Sequence, residues 1–204
     1  MTSARMLRVR APLGLYTPAY RFGGTMAAAL IVSNDCLISP VEGAFIAAII
    51  KRAGPGDYVE VGCAFGGTAI LAALTKKVFD VPGKVVTIDN FTYSWCPYEA
   101  AMNGITGLGL EHHIEIKMAN SHPWPLSPDR KFVIGYVDGS HRGEMPYNDL
   151  VNMSKCVEKY ILIHDYGPTG PDVMRGTNRF DDDYPEWVAI GIKQRVVVFE
   201  RQPI

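Results

Sequence analysis

The sequence predicts an α/β fold, a single domain in which a mostly parallel sheet carries helices on both of its faces. Segments with strand character alternate with segments of helical periodicity from Ser39 onward, and this alternation is typical of parallel sheets. Glycines follow the first strand, where the chain turns into a helix. The last two strands are separated only by Lys193 and Gln194. That connection is too short for a parallel crossover, so these two strands should be antiparallel.

The composition is that of one ordinary globular domain. The chain has 204 residues, of which 48 % are hydrophobic and 20 % are charged, so it can build a full core but has no room for a second sizeable domain. We assign residues 1–38 to an N-terminal arm or lid, because prolines and a glycine pair interrupt them without a sustained period. Residues 39–204 form the predicted α/β domain.

The net charge and the short apolar stretches limit which partners the protein can bind and where in the cell it is expected. The formal net charge is -1, so no positive field attracts the protein to nucleic acid or to an anionic membrane. The longest apolar stretches, residues 26–32 and 44–50, are well short of the roughly 20 residues of a membrane span. The N-terminal residues lack a signal-peptide pattern. We therefore expect a cytoplasmic protein that acts on a small-molecule substrate, either as a monomer or as a homo-oligomer.

The cysteines form neither a CxxC pair nor a zinc motif. We expect free thiols in a reducing compartment, where disulfides are rare. The chain has four cysteines, which are Cys36, Cys63, Cys96 and Cys156.

The first helix of the domain has a clear start and end. Ser39 can cap its N-terminus, Pro40 suits the first helical position, and Glu42 completes a capping box. A helix should therefore cover residues 40–52. The Gly-Pro-Gly sequence at 54–56 ends this helix.

Strands and helices alternate through the rest of the chain. Apolar residues at helical spacing predict a helix at 68–78, and Gly83 separates it from a strand at 84–89. The acidic run at 181–183 is expected to be a solvated loop. The other predicted elements are a strand at 58–62, a helix at 98–108, strands at 114–118 and 132–138, a helix with Tyr147, Leu150, Val151 and Val157 on one stripe, a strand at 160–164, and strands at 187–192 and 195–200.

Polar residues are concentrated at the carboxyl ends of four predicted strands. Ligands of open α/β sheets bind outside these ends, so the residues there are candidates for a functional site. Tyr93 and Trp95 follow the second strand and fit either a substrate pocket or loop packing. The candidates are Glu60 with Gly62, Asp89 with Asn90, Asp138 with His141, and His164 with Asp165.

The segment at 59–68 is a candidate ligand-binding turn. Its glycines allow a ligand to lie against the backbone next to the positive N-terminus of a helix. A ligand with a carboxylate suits such a turn, although a tight turn that binds no ligand has the same composition. Asp89 ends the next strand, where an acid can accept the hydroxyls of a ribose or cap a helix.

Glu60-x-Gly62-x-x-x-Gly66, followed by the acid Asp89, resembles motifs I and II of the class I S-adenosylmethionine-dependent methyltransferases. The order of elements from Ser39 onward is also similar. The resemblance implies a Rossmann-like sheet of seven strands in the order 3-2-1-4-5-7-6 and S-adenosylmethionine as the cofactor. By the same resemblance Gly62, Gly66 and Thr68 hold the methionine end, Asp89 holds the ribose, Ser121 and His122 contact the adenine, and Glu60 and Asn90 complete the cofactor site.

Two other functions compete with this interpretation. An NAD-dependent oxidoreductase is the first, because Gly62-x-Ala64-x-x-Gly67 is a degraded form of GxGxxG. Its middle glycine is Ala64, however, and Asp89 lies 27 residues after Gly62 rather than the roughly 20 expected of that fingerprint. A non-catalytic protein that binds S-adenosylmethionine is the second.

The sequences Val137-Asp138-Gly-Ser-His141 and Ile163-His164-Asp165-Tyr166 resemble signatures of the metal-dependent O-methyltransferases, both the catechol type and those acting on antibiotic sugars. The resemblance implies that Asp138 and Asp165 hold a divalent cation, with His164 as a third ligand. Mg²⁺ suits the carboxylates, whereas Mn²⁺ or Fe²⁺ tolerates an imidazole better. His164 departs from the pattern, because relatives usually have an acid followed by a second acid or an asparagine there. Helix caps, salt bridges or a core histidine would use the same residues.

His141 is the predicted general base. It follows Asp138 in a glycine-containing loop, and a neutral imidazole with a pKa near 6.5 can accept a hydroxyl proton at physiological pH. Asp138 would assist through its metal, which lowers the pKa of the acceptor hydroxyl. The predicted reaction is O-methylation of a phenol or a sugar hydroxyl; a merely solvent-exposed His141 is the alternative.

Overall fold

The structure is a computed structural model that describes residues 7, 9, 17–32 and 38–203. Every helix and strand predicted for the domain is present, with small shifts at the ends. The helices are α1 (Thr17–Val32), α2 (Pro40–Ala53), α3 (Gly67–Val78), α4 (Tyr98–Gly107), α5 (Met145–Cys156) and α6 (Pro171–Asp183). The strands are β1 (Tyr58–Val61), β2 (Val85–Asp89), β3 (Ile114–Met118), β4 (Phe132–Val137), β5 (Val157–Ile163), β6 (Trp187–Lys193) and β7 (Val196–Arg201).

One sheet contains all seven strands, in the order β3-β2-β1-β4-β5-β7-β6. β1 to β5 pair in parallel, and β7 is antiparallel to both of its neighbours, β5 and β6. The predicted sheet and the predicted closing hairpin are therefore confirmed. Because β1, β2, β4 and β5 are parallel, the polar residues that follow them meet at one edge of the sheet, which we call the carboxyl edge.

Helices cover both faces of the sheet. On one face, Ile49 of α2 and Ile70 of α3 are fully buried in a cluster with Tyr58. On the other, Leu150 of α5 and Phe180 of α6 are fully buried in a second cluster. Burying one such side chain contributes roughly 1.5 to 3 kcal/mol. The two clusters fix the strands, and with them the positions of the strand ends.

The start of α2 has the predicted capping box. The amide of Glu42 donates to Ser39 Oγ over 3.2 Å, and Glu42 Oε2 accepts from the amide of Ser39 over 2.8 Å. Since α2 leads into β1 from the opposite direction, its N-terminus lies at the carboxyl edge. Glu42 is thereby placed near the ends of β4 and β5.

Three features differ from the sequence predictions or extend them. The predicted loop at 181–183 is wrong, because these residues form the last turn of α6, with Val173 and Phe180 on its buried side; the run is nevertheless solvated at positions 182 and 183. Val157 begins β5 rather than ending the preceding helix, since its backbone is extended. Residues 17–32 form α1, which packs against α2. The division at residue 38 into an arm and a domain stays a prediction.

Other predictions concern thiols and membranes. Cys63, Cys96 and Cys156 are free and buried, whereas Cys36 lies outside the described residues. Among the helices of the described chain, none combines the length and the apolar character needed to cross a bilayer.

Candidate functional site

A cavity of about 720 Å³ lies at the carboxyl edge of the sheet. Its volume is within the range of roughly 300 to 1,000 Å³ found for small-molecule sites. The loops that follow β1, β2, β3, β4 and β5 form its walls. Ten of the predicted site residues line it, namely Gly62, Thr68, Asp89, Asn90, Ser121, His122, Asp138, His141, His164 and Asp165.

The glycine-containing turn after β1 is shaped by two glycines with different tasks. Gly62 has φ 94°, and a Cβ there would lie 2.0 Å from the carbonyl oxygen of Asp138, so only glycine allows the ends of β1 and β4 to approach this closely. Gly66 has φ 83° and precedes α3 without lining the cavity. The structure gives Gly66 a conformational role, and its direct contact with the cofactor stays a prediction. Because Gly66 has no side chain to cap α3, the first amides of this helix can bind a carboxylate.

Asp89 binds the turn as well as facing the cavity. Its Oδ2 accepts from the amides of Cys63, over 2.8 Å, and Ala64, over 3.1 Å, and its Oδ1 accepts from the amide of Phe91 over 2.8 Å. A carboxylate offers about four acceptor positions, so these three bonds leave about one. Asp89 can accept one ribose hydroxyl in this conformation rather than both.

Glu60 does not reach the cavity. Its side chain is fully buried, and Oε2 accepts from the hydroxyl of Tyr58 over 2.9 Å. Burial raises the pKa of Glu60 to about 8, and the charges of Asp138 and Asp89 add to this rise. The structure gives Glu60 a place in the core beneath the turn, and its direct contact with the cofactor stays a prediction. The physical reason for this place is that Glu60 lies inside β1, whose four residues are all buried, whereas Gly62 follows the end of that strand.

We expect Glu60→Gln to stabilise the fold increasingly as the pH rises from 4.5 to about 8. An acid whose folded pKa is raised is protonated in the native state, so wild type loses stability over this interval while glutamine does not. The ceiling of the difference is on the order of 5 kcal/mol, at 1.36 kcal/mol for each pKa unit. Urea denaturation at pH 5 and pH 8 measures it. A constant difference between the two proteins at both pH values would contradict the raised pKa.

The ring nitrogens of His122 are engaged within the protein. Nε2 lies 2.9 Å from Oδ1 of Asp149, which is fully buried, and Nδ1 lies 3.3 Å from Nδ2 of the Asn152 side chain. Because the amide donates to Nδ1, the ring proton is on Nε2 and points to Asp149. His122 lines the cavity with both ring nitrogens engaged, and the Asn90 side chain donates to Asn120 over 2.7 Å.

Asp138, His141 and Asp165 meet in the part of the cavity wall that follows β4 and β5. Nε2 of His141 lies 3.3 Å from Oδ1 of Asp138, and Nδ1 lies 3.4 Å from Oδ2 of Asp165. One ligand atom from each residue falls within 4.8 Å of the others. The imidazole ring therefore spans the gap between the two carboxylates. Its hydrogen bond with Asp138 raises the pKa of His141 above its ordinary value.

His164 lies behind this group and is 4 % exposed. Its Nδ1 is 3.3 Å from Oδ1 of Asp138, and its Nε2 is 3.3 Å from Oε1 of Glu42. Neither ring nitrogen makes an aligned hydrogen bond to the described residues, so the contacts are mainly ionic. Burial opposes the charged form, but the surrounding carboxylates outweigh it and raise the pKa of His164 to about 12.

Two charged residues of the site were not predicted from sequence. Arg195 Nη1 pairs with Asp165 Oδ1, and its Nε lies 3.5 Å from Oε1 of Glu42. Glu42 is 1 % exposed. Burial by itself raises the pKa of Glu42, but contacts with His164 and Ser39 outweigh it and lower that pKa to about 2. His164 likewise lowers the pKa of Asp165 to about 2. Together with Asp138, His141 and His164, these residues form a group of three acids and three basic side chains, which we call the charge cluster.

Aromatic residues line the cavity beside the glycine-containing turn. The rings of Phe65 and Trp95 have centroids 5.8 Å apart, and those of Tyr93 and Trp95 are 5.9 Å apart. Tyr93 and Trp95 are each more than half exposed. Of the two interpretations open from the sequence, the structure favours a place in the cavity wall.

The fold is shared with known O-methyltransferases. The O-methyltransferase NovP is 19 % identical, with 78 % of this chain and 76 % of that chain covered and a TM-score of 0.65. TomG from Streptomyces achromogenes, an O-methyltransferase involved in tomaymycin synthesis and solved with S-adenosylmethionine, is 15 % identical, with 94 % and 93 % covered and a TM-score of 0.64. An O-methyltransferase from Bacillus cereus, solved with S-adenosylhomocysteine, is 14 % identical, with 87 % and 89 % covered and a TM-score of 0.66.

Comparisons of sequence add nothing to this likeness. No protein-family model matches the chain, and no curated protein is similar to it in sequence. At these levels of identity, the structural likeness shows the Rossmann-like fold of the class I methyltransferases. The activity is argued from the site itself.

Proposed function

We propose that the protein uses S-adenosylmethionine to methylate a hydroxyl group of a small molecule, a phenol or a sugar. The observation that carries this proposal is the single cavity that the glycine-containing turn and Asp89 share with His141 and the acids around it. The residues proposed for the cofactor and those proposed for proton removal then line one cavity at the carboxyl edge, and we call these two groups the cofactor end and the proton-accepting end. The net charge of -1 supports a small-molecule partner over nucleic acid or membrane, while the oligomeric state and a cytoplasmic location stay expectations.

The cofactor end fits S-adenosylmethionine in charge and in hydrogen bonding. The amides at the start of α3 suit its carboxylate, the free acceptor position of Asp89 suits one ribose hydroxyl, and His122 with Ser121 suits its adenine. When bound, this cofactor supplies an electrophilic methyl group. The protein's own task is alignment of the acceptor with that methyl group.

The proton-accepting end fits a hydroxyl acceptor. His141 can keep one ring N–H on a carboxylate, Asp138 or Asp165. Its ring must turn the other nitrogen away from the second acid and toward the acceptor hydroxyl before it can accept that proton. The carboxylate then fixes the tautomer and stabilises the imidazolium that forms, a division of work known from Asp-His pairs. In the balanced reaction the C–O bond forms, the C–S bond breaks with its electrons going to sulfur, and the proton passes to His141.

The arrangement of the side chains does not fit the predicted divalent cation well. Asp138, His141 and Asp165 are close enough to share an ion. However, Arg195 already pairs with Asp165, and both nitrogens of His141 face carboxylates. The donors that Mg²⁺, Mn²⁺ or Fe²⁺ would need are engaged, so no step of the proposed reaction is routed through a metal.

Calorimetry with S-adenosylhomocysteine and NAD⁺ tests the cofactor. We expect binding of the first and none of the second, and Asp89→Asn should weaken binding by roughly 1 to 3 kcal/mol, because a charged acceptor is lost. Asp57→Asn is a matched control, since Asp57 is an acid that does not line the cavity. Tight binding of NAD⁺ would favour the oxidoreductase. S-adenosylhomocysteine binding without methyl transfer to any hydroxyl acceptor would favour the non-catalytic alternative.

A further inference from the structure

We propose that methyl transfer in this protein needs no divalent cation, because side chains of the chain itself take the place and the charge of that ion. Arg195 supplies positive charge to Asp165, and His141 fills the space between Asp165 and Asp138. The ring of His164 lies against Asp138. This inference rests on the proposed function and concerns how the same site works.

The space that an ion would occupy between Asp138 and Asp165 is already filled. An ion shared by Asp138 and Asp165 would lie between their side-chain oxygens, about 2.0 to 2.6 Å from each ligand. The His141 ring spans that gap, with Nε2 3.3 Å from Asp138 and Nδ1 3.4 Å from Asp165. A metal could use only one nitrogen of this ring. The ring would have to turn away from one of the two acids before an ion could enter.

The negative charge of Asp165 already has a positive partner. The guanidinium of Arg195 is permanently charged and is held by two acids, Asp165 at the cavity and Glu42 in the interior. Moving Arg195 aside to free Asp165 for a metal would also take one positive partner from Glu42, which is 1 % exposed. A buried carboxylate that loses its partner is costly. Arg195 is therefore tied to its position more firmly than a surface arginine would be.

The position of His164 also disfavours an ion. In the metal-dependent O-methyltransferases that the sequence resembles, the residue at the position of His164 is usually an acid that serves as a metal ligand. Here an imidazole lies between Asp138 and Glu42, 3.3 Å from each. It adds a basic side chain where a metal site would have a third carboxylate. The permanent charge of Arg195 already balances one acid of the charge cluster, so a divalent cation would meet less unpaired negative charge than three free carboxylates offer.

A functional consequence follows for Arg195. It lines the cavity next to Asp165, where it keeps that acid in position beside His141 and adds positive potential near the acceptor hydroxyl. Arg195 is thus a positioning residue for the reaction, and it does part of what a metal does in a metal-assisted site.

The test measures Mn²⁺ binding directly, apart from methyl transfer. The electron paramagnetic resonance signal of free Mn²⁺ is recorded during titration with wild-type protein and with the double variant His164→Asp/Arg195→Met. We expect wild type to leave the free signal unchanged. The double variant should bind Mn²⁺ about 10- to 100-fold more tightly, the range over which outer-shell residues change metal affinity. Near-ultraviolet circular dichroism of both proteins confirms folding.

Stoichiometric Mn²⁺ binding by wild type that Asp138→Asn abolishes would overturn the inference, whatever the state of the double variant. Dependence of turnover on added Mg²⁺ or Mn²⁺ after chelation would overturn it as well. Turnover that is unchanged by chelation supports it. Failure to bind S-adenosylhomocysteine would instead count against the proposed function, so the two failures can be told apart.

Discussion

His141→Ala is expected to lower the turnover number by about 10² to 10⁴-fold, the range for loss of a general base. The affinity for S-adenosylhomocysteine should stay nearly the same, because proton removal is separate from recognition of the cofactor by Asp89 and the glycine-containing turn. Steady-state rates with a phenol or sugar acceptor, together with calorimetry, separate these two effects. His112→Ala is a matched control, since His112 is exposed and does not line the cavity.

The pH profile provides a second measurement on the same pair of proteins. A base must be neutral to accept a proton, so activity falls as the pH drops through its pKa. The contact with Asp138 raises the pKa of His141, and we therefore expect the acid limb of wild type to lie above pH 6.5. His141→Ala should lack this limb. Equal rates and the same limb in both proteins would show that His141 is dispensable and make Asp138 the better candidate.

Local sequence patterns predicted most of the fold because each pattern reports a short-range cause. The capping box of Ser39 and Glu42 fixes the start of α2, and the two-residue link before Arg195 permits only an antiparallel hairpin. Parallel strands then bring residues from distant parts of the chain to one edge. The sequence therefore predicts that Asp89 and Asp138 lie in one site.

The charge cluster could be predicted only in part because its contacts join residues far apart in sequence. Glu42 was assigned to a cap, and its second carboxylate oxygen turned out to face His164 and Arg195. The strand order does indicate that Arg195 lies near the site. β7 is antiparallel to β5, with Val197 opposite Ile163, so the residue before β7 must lie near the end of β5 and hence near Asp165.

Burial was the other property that patterns could not supply. Glu60 and Gly62 are two positions apart in the same motif, yet one is a core acid and the other is part of the cavity wall. A motif shows which residue types occur together but not which of them contact the ligand. Distinguishing these roles requires the neighbours of each side chain, Tyr58 for Glu60 and the backbone of Asp138 for Gly62.

Gly62→Ala is expected to lower the free energy of unfolding by about 2 to 6 kcal/mol, the sum of strain at a positive φ and of overpacking. The added Cβ would lie 2.0 Å from the carbonyl oxygen of Asp138, a backbone atom that can move only if the end of β4 moves. Urea denaturation measures the loss, and S-adenosylhomocysteine binding reports on the turn.

Gly109→Ala separates the two causes of that loss. Gly109 has φ 64°, and a Cβ there would meet nothing within 4 Å, so this variant has backbone strain without a clash and should lose only about 1 to 2 kcal/mol. The excess loss in Gly62→Ala then measures how tightly β1 and β4 meet. Equal losses in the two variants would mean that Asp138 shifts freely. Its distance from His141 would then depend on loop packing rather than on the close contact at Gly62, and the proton-accepting end of the cavity would be adjustable instead of fixed.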